Sequence, residues 1–205
     1  MRNAKIWIIQ LLGFASLFST QQLSAQRIQM IDIIGDVDSV ANEFVQKLGL
    51  TVKSKSDKSQ VLLGKLGGES SRLEFFFTPV SKKVYQGTVV KESPIGIDTL
   101  DATFMKHVAK LVVRYTVPSY YMDSLGNKIS VTSDVCSHVS GTKPIMNLPK
   151  GVKSVHWENM VYFSNLLLDT RIQGNKIATD YRVINNLTKL DAERALVPSA
   201  SKLDF

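Results

Sequence analysis

The sequence of 205 residues contains one cysteine, Cys136, and this scarcity excludes several classes of protein. One thiol cannot form a disulfide within the chain, so a disulfide-stapled scaffold is excluded. It also cannot supply the paired cysteines of a structural zinc site. The fold must therefore be held by packing alone, which a chain of this length can provide.

The sequence also lacks long hydrophobic runs and blocks of like charge. No stretch reaches the roughly 20 apolar residues that cross a bilayer as a helix. The formal net charge of +7 is spread along the chain, which does not indicate a nucleic-acid-binding arm. Gly-x-Ser-x-Gly, His-Glu-x-x-His, phosphate-loop and dinucleotide motifs do not occur. The sequence therefore predicts no metal, no cofactor and no nucleic-acid partner.

The N-terminal segment has the composition of a secretory signal peptide, residues 1–25. Two basic residues precede an apolar run over 6–18, and Ala25 supplies the small residue of a cleavage site. We therefore expect a periplasmic or secreted protein that keeps no stable membrane span after cleavage. Because Cys136 lies far from the cleavage region, the sequence does not predict a lipoprotein.

Hydrophobic periodicity predicts that the first half of the mature chain is one helix followed by four strands. Apolar residues at helical spacing predict a helix over 39–48, with Asp36 or Asp38 as N-cap and Gly49 as C-cap. Short turns rich in Gly, Pro, Ser and Asp separate the strands, which favours antiparallel neighbours. The predicted strands are 50–55, 59–66, 72–78 and 83–91.

The second half repeats this order more loosely. An apolar stripe predicts a second helix that ends before Pro118, with Asp98 or Thr99 as its cap. A mostly irregular stretch over 120–149 follows, and Gly174 lies in a predicted hairpin turn. After Asn186 the chain is polar and aperiodic. The predicted strands of this half are 129–132, 154–158, 161–169 and 176–184.

The order of these elements predicts an α+β fold. We expect an antiparallel sheet with two helices packed on one face, and two similar helix-plus-strands halves. In domain terms, 26–186 is a single α+β domain with halves of about 26–96 and 97–186. The segment 187–205 is interpreted as a C-terminal tail, either docking or frayed.

Several turns and helix ends match the pattern of a known family. The matching residues are Gly35, Phe44, 48–50, 63–68, Val84, Tyr85, 114–118, 175–177, Tyr181 and Asn185. On these residues the chain resembles a family of small exported proteins of Bacteroidota whose function is unknown. The pattern has glycine where this chain has Thr116, and an aromatic residue where it has Leu50.

The resemblance implies export, an α+β fold with an antiparallel sheet, and no assigned activity. The helix-plus-four-strand order is also similar to the tandem-repeat fold of β-lactamase inhibitory proteins. This second likeness concerns the fold alone and carries no function.

The sequence assigns no catalytic residue, and its candidates are the thiol and two imidazoles. Cys136 and His138 are two residues apart and would share one face of a strand, as a thiolate–imidazole pair requires. His156, beside Trp157, is a candidate to line a pocket. The alternative for Cys136 is a small buried hydrophobic residue. His107, at the edge of the second helix stripe, is interpreted as a structural histidine.

Aromatic residues offer a candidate ligand or partner face. Tyr120, Tyr121, Trp157 and Tyr162 fall in or near predicted strands and would suit a glycan or a protein if exposed together. The alternative is that these rings form the sheet core under the second helix.

Taken together, the sequence favours an exported, non-enzymatic binding or protein-interaction module of the cell envelope. Its expected partner is an unidentified envelope protein or a glycan. One alternative is a small thiol- or histidine-dependent hydrolase that uses Cys136 with His138 or His156. Another is a structural subunit of an envelope assembly that docks through 187–205. The sequence does not determine the oligomeric state.

Overall fold

The structure is a computed structural model that describes residues 27–28, 31–158 and 165–196. The helices of this part are α1 (Val37–Leu48), α2 (Ile97–Tyr115) and α3 (Ile184–Leu196). Its strands are β1 (Arg27–Ile28), β2 (Ile31–Asp32), β3 (Thr51–Lys55), β4 (Ser59–Leu66), β5 (Glu69–Phe77), β6 (Val84–Lys91), β7 (Tyr120–Met122), β8 (Lys128–Ser130), β9 (Cys136–Ser137), β10 (Ile145–Met146), β11 (Ser154–Trp157), β12 (Leu166–Gln173) and β13 (Lys176–Val183).

Nine of these strands form one sheet, in the order β3-β4-β5-β6-β13-β12-β11-β7-β8. Each neighbouring pair is antiparallel. The pairing of β6 with β13 joins the strands that precede α2 to those that follow it. The α+β class and the antiparallel sheet are therefore confirmed. The position of both predicted helices on one face of the sheet stays a prediction, as does the similarity of the two halves.

The first helix forms as its local sequence predicts. The Asp36 side chain accepts a hydrogen bond from the backbone N–H of Asp38, and Gly49 ends the helix in the left-handed region at φ 66°. Phe44 is fully buried, and its ring centroid lies 5.3 Å from that of Phe75 on β5. Helix α1 is thus capped at both ends and held to the sheet by an aromatic pair.

The second helix begins differently from the prediction. Its N-cap is Gly96, without a side-chain capping bond, so the predicted cap by Asp98 or Thr99 is wrong. The Thr99 hydroxyl instead donates to the Gly96 carbonyl at 3.1 Å. The helix ends at Tyr115, before Pro118, as the sequence predicts.

Thr116, just past α2, adopts a backbone conformation that suits glycine. Its φ of 73° and ψ of −169° lie in a region that is costly for a residue with a Cβ. We expect Thr116→Gly to raise the free energy of unfolding by about 1 kcal/mol, since relief of strain exceeds the added entropy of the unfolded chain. Denaturant unfolding measures this gain. Thr116→Ala, which keeps the Cβ, is the control, and equal midpoints for the two variants would contradict the explanation.

The segment interpreted as an aperiodic tail contains a helix, which corrects that part of the prediction. Helix α3 runs to Leu196, and Leu190 and Glu193 on it are buried. The Glu193 carboxylate accepts the backbone N–H groups of Val80 and Ser81 at 2.8 and 3.0 Å. Burial alone would raise the pKa of Glu193, but hydrogen bonds from Ser81 and Val80 hold that pKa at about 2. These hydrogen bonds therefore hold α3 against the turn that follows β5.

Several strands also depart from their predicted bounds. β12 runs over Leu166–Gln173, four residues past the predicted end at 169, and residues 161–164 of that predicted strand lie outside the described residues. β8 covers Lys128–Ser130 rather than 129–132. β7 and the β9–β10 ladder lie in a stretch that the sequence leaves mostly irregular. The predicted signal peptide falls outside the described residues. Within the described part, no helix combines the length and apolar character needed to cross a membrane.

Cross-strand register assigns the sheet side chains to two faces, because directly opposite residues point the same way. One register row is largely buried and apolar: Leu62, Leu73, Val89, Thr179, Thr170, Val155 and Tyr121. The adjacent row, which we call the polar row, points to the other face: Glu74, Thr88, Asp180, Asp169, His156, Tyr120 and Ser130. The two faces therefore differ sharply in chemistry.

Candidate functional site

Two cavities among the described residues are candidate sites. The larger, about 380 Å³, lies beside the start of α2, where Asp98, Asp101 and Lys150 are its charged lining groups. The smaller, about 270 Å³, lies between α2 and the sheet, where several titratable side chains converge. Convergent polar groups with perturbed pKa values mark functional sites more often than cavity size alone. We therefore take the smaller cavity, called the basic pocket, as the candidate site.

The charged lining of the basic pocket comes from one helix face and one strand pair. His107, Lys110 and Arg114 follow one another at positions i, i+3 and i+7 of α2, a spacing that places them on one helix face. Glu69 on β5 and Lys91 on β6 also line the cavity. The apolar lining includes Ile28, Leu66, Val89 and Leu111.

The charges of the pocket are unbalanced. The Lys91 ammonium lies 2.6 Å from the Glu69 carboxylate, and this contact lowers the pKa of Glu69. Lys110 and Arg114 add two further cations to the lining. Among the lining side chains, three cations thus accompany one carboxylate in a concave site, which favours an anion over a neutral or cationic ligand.

His107 is held in the pocket by a chain of hydroxyl groups. Its Nε2 atom lies 2.9 Å from the Thr179 hydroxyl, which lies 3.1 Å from that of Thr170. The Thr170 hydroxyl reaches the Ala178 carbonyl at 3.2 Å. Because a carbonyl can only accept, the Thr170 hydroxyl donates to Ala178. Thr170 then accepts from the Thr179 hydroxyl, and Thr179 accepts from His107, so we assign the imidazole proton to Nε2.

The environment of His107 keeps its imidazole neutral at pH 7. Burial lowers the pKa of His107 to about 4, and the ammonium groups of Lys91 and Lys110 act in the same direction. The Glu69 carboxylate opposes this effect but does not outweigh it. A neutral imidazole adds hydrogen-bonding capacity to the pocket without a further charge.

One tyrosine lines the pocket, and a second packs against it. Tyr181 lines the cavity, and its ring centroid lies 6.3 Å from that of Tyr115 in an edge-to-face arrangement. The two hydroxyls are hydrogen-bonded, and burial raises the pKa of both groups. Both phenols are therefore neutral and serve as packing and polar support.

The structure does not favour Cys136 as a nucleophile. The side chain is buried, with 1% exposure, and its Sγ lies 3.4 Å from the Met146 Sδ. Burial raises the pKa of the Cys136 thiol, which disfavours the reactive thiolate. His138, in the loop after β9, is half-buried. His156 is hydrogen-bonded to Ser154 and Asp169.

The predicted aromatic face is divided between the two sides of the sheet. Trp157 and Tyr121 are buried in the core, and the Trp157 indole donates to the Thr116 carbonyl at 2.8 Å. Tyr120 belongs to the polar row on the other face, where its ring stacks on His156 with centroids 4.4 Å apart. Tyr162 lies outside the described residues. The structure therefore does not bring Tyr120, Tyr121 and Trp157 together on one exposed face.

Sequence reasoning missed the basic pocket. The spacing of His107, Lys110 and Arg114 on α2 is a local signal that could have indicated a basic helix edge. No local signal places Glu69 and Lys91 beside that helix, since their approach depends on the sheet packing under it. Among the described residues, no group of three or more His, Cys, Asp or Glu side chains is arranged to hold a metal ion.

Comparison with protein-family models, with curated proteins and with solved structures finds no significant match to this chain. The resemblance to the exported Bacteroidota family and to the β-lactamase inhibitory fold is therefore untested and stays a prediction. Function has to be argued from the geometry of the site.

Proposed function

We propose that the protein is an exported binding protein whose basic pocket takes a small phosphate- or carboxylate-bearing molecule. The observation that carries this proposal is that Lys91, Lys110 and Arg114 line one cavity together with a single carboxylate, that of Glu69. An anion in the pocket would meet ammonium and guanidinium donors whose hydrogen bonds are charge-assisted and therefore strong. The predicted signal peptide supports a location in the cell envelope or outside the cell.

The cavity limits the size of the ligand. Its volume of about 270 Å³ lies just below the range of roughly 300–1,000 Å³ for sites of drug-sized ligands. One anionic group with a short apolar or hydroxylated extension fits this space. By the donor assignment above, the His107 imidazole keeps an acceptor at Nδ1, which suits a hydroxyl group on the extension, and Leu66 and Leu111 supply apolar contacts.

The proposal includes the finer architecture. In this arrangement, α1 and α2 lie on one face of the sheet, and the sheet forms the floor of the basic pocket. The two halves of the chain meet at the β6–β13 pair. The Phe44–Phe75 contact and the His107–Thr179 hydrogen bond support this arrangement. In register, Phe75 is opposite Gly87 and Gly87 is opposite Tyr181, which supports the proposed position of both helices on one face.

Inorganic phosphate is a suitable first probe, measured by the rise in unfolding midpoint with concentration. A ligand that binds only the folded state stabilises it in proportion to the logarithm of its concentration above Kd. We expect Lys110→Gln to weaken phosphate binding about tenfold, since one charge-assisted hydrogen bond is lost. Lys106→Gln is the matched control, because Lys106 is exposed on the same helix and does not line the pocket.

Added salt should weaken this binding, because exposed charges are screened. The proposal is wrong if phosphate and small carboxylates leave the midpoint unchanged. It is also wrong if Lys110→Gln binds phosphate as tightly as the unaltered protein, or if Lys106→Gln weakens binding as much as Lys110→Gln does.

A further inference from the structure

The sheet face that carries the polar row brings together three side chains that the basic pocket does not use. Register places His156 on β11 directly opposite Asp169 on β12. Ser154 lies two residues before His156 on the same strand, so both side chains point to the same face. This face is opposite the one that carries Thr179 and Tyr181 of the basic pocket.

These three side chains form a hydrogen-bonded relay. The Ser154 Oγ lies 2.7 Å from the His156 Nε2, and the His156 Nδ1 is hydrogen-bonded to the Asp169 Oδ1. Since an ionised carboxylate can only accept, Nδ1 carries the imidazole proton and Nε2 accepts from the Ser154 hydroxyl. The imidazole is therefore in the tautomer that a general base for a serine hydroxyl requires.

Surrounding groups hold the relay in place. The second oxygen of Asp169 pairs with the Arg182 guanidinium. The His156 ring stacks on Tyr120 with an interplanar angle of 8°, and the Lys128 ammonium lies 3.8 Å from the Tyr120 ring centroid. The orientation of the imidazole is thus determined by contacts on its edge and on its face.

The relay is partly accessible and lies next to a cation. The His156 side chain keeps 17% exposure, and Ser154 is half-buried. Arg171 is directly opposite Ser154 in register, and directly opposite residues have Cβ atoms about 5 Å apart. Its guanidinium pairs with Asp180 and has further N–H donors for an oxyanion that forms beside Ser154.

The imidazole is suited to act as a base at neutral pH. Burial lowers the pKa of His156 below its ordinary 6.5. Arg182, Lys128 and Arg171 act in the same direction, and the Glu158 carboxylate opposes them. At neutral pH the imidazole is therefore unprotonated at Nε2 and can accept a proton.

We propose that Ser154 is a nucleophile, His156 its general base and Asp169 the positioning residue of a site that hydrolyses small carboxylic esters. The Ser154 oxygen attacks the ester carbonyl while its proton moves to the His156 Nε2, and the carbonyl electron pair goes to the oxyanion. The oxyanion collapses, the ester C–O bond breaks, and the alcohol leaves with the proton from Nε2. Water then attacks the acyl-serine by the same proton route, which releases the carboxylic acid and restores Ser154.

A fluorophosphonate probe tests the nucleophile directly. Incubation of the unaltered protein should give one covalent adduct by intact mass, mapped to the peptide that contains Ser154. Ser154→Ala should abolish the adduct, and Ser70→Ala, which alters an exposed strand serine on β5, should leave it unchanged. No adduct, or an adduct on another residue, overturns the proposal.

Hydrolysis of p-nitrophenyl acetate tests the base. His156→Gln should lower the rate above background about 100-fold or more, as loss of a general base does. A rate that is unchanged in Ser154→Ala or His156→Gln overturns the proposal. Binding of phosphate in the basic pocket should be the same in Ser154→Ala as in the unaltered protein, so the two proposals can fail separately.

The positioning role of Asp169 has its own readout. Imidazole ¹⁵N NMR distinguishes a proton on Nδ1 from one on Nε2. We expect His156 to carry its proton on Nδ1 in the unaltered protein and to shift toward the Nε2 tautomer in Asp169→Asn. A tautomer that does not change in this folded variant contradicts the role given to Asp169.

Discussion

Replacing Trp157 by alanine should lower the free energy of unfolding by about 3–5 kcal/mol, the usual cost of deleting a large buried aromatic side chain. Trp157 has 0% exposure and lies on β11. Its indole N–H donates to the Thr116 carbonyl at the end of α2. The substitution would leave a cavity and remove a hydrogen bond that joins the sheet to the helix, so both losses act in the same direction.

Two measurements check this expectation. Denaturant unfolding gives the change in free energy. It is followed by circular dichroism rather than by fluorescence, because the Trp157→Ala variant has no tryptophan after residue 25. In the unaltered chain from Gln26 onward, Trp157 is the one tryptophan, so its fluorescence reports its own environment. Emission typical of a buried indole is expected. Trp157→Phe, which keeps most of the ring volume, should cost much less. The expectation is wrong if Trp157→Ala lowers the free energy of unfolding by less than about 1 kcal/mol and the emission is that of a water-exposed indole. Trp157 would then lie on a surface.

Lowering the pH from about 6.5 to about 4 should cost this protein about 3 kcal/mol of stability through His107 alone. The folded pKa of about 4 lies below the ordinary value of 6.5, so in this window the unfolded chain binds more protons than the folded one. Stability therefore rises with pH between these values and is lost as the pH falls. Above about 6.5 both states are neutral at this position, and the contribution disappears.

The matched comparison is with His107→Gln, which keeps a side-chain donor for Thr179 and does not titrate. Carboxylates such as Glu69 and Glu193 also titrate in acid, but they are present in both proteins and cancel in the difference. We expect the stability difference between the two proteins to change by about 3 kcal/mol between pH 7 and pH 4. A difference that stays constant with pH would show that His107 has an ordinary pKa. It would also remove the neutral imidazole from the account of the basic pocket.

The local parts of the fold follow from the sequence, and α1 illustrates why. Residues within one or two helical turns determine its N-cap at Asp36, its apolar stripe through Phe44 and its left-handed C-cap at Gly49. The Gly67-Gly68 hairpin is similar, because both residues adopt positive φ, at 60° and 83°, which glycine does without strain. Such features depend on near neighbours, so a sequence pattern is enough to predict them.

Helix α3 and strand β7 show where local patterns fail. The helix has a weakly apolar sequence, and what holds it is the Glu193 carboxylate bound to the backbone of Val80 and Ser81, more than 100 residues earlier. β7 has three residues and forms because β11 and β8 pair with it on both sides. In both cases a tertiary contact stabilises an element that its own sequence does not specify.

The sequence by itself determined the α+β class, the caps of α1, the hairpin turns and most of the strands. Only the tertiary structure decided which side chains share a site. His107 meets Thr179, and His156 meets Asp169, because helix packing and strand register bring distant residues together. A shift of one residue in register would send every one of these side chains to the opposite face. That register depends on the burial of the whole sheet, which no local pattern encodes.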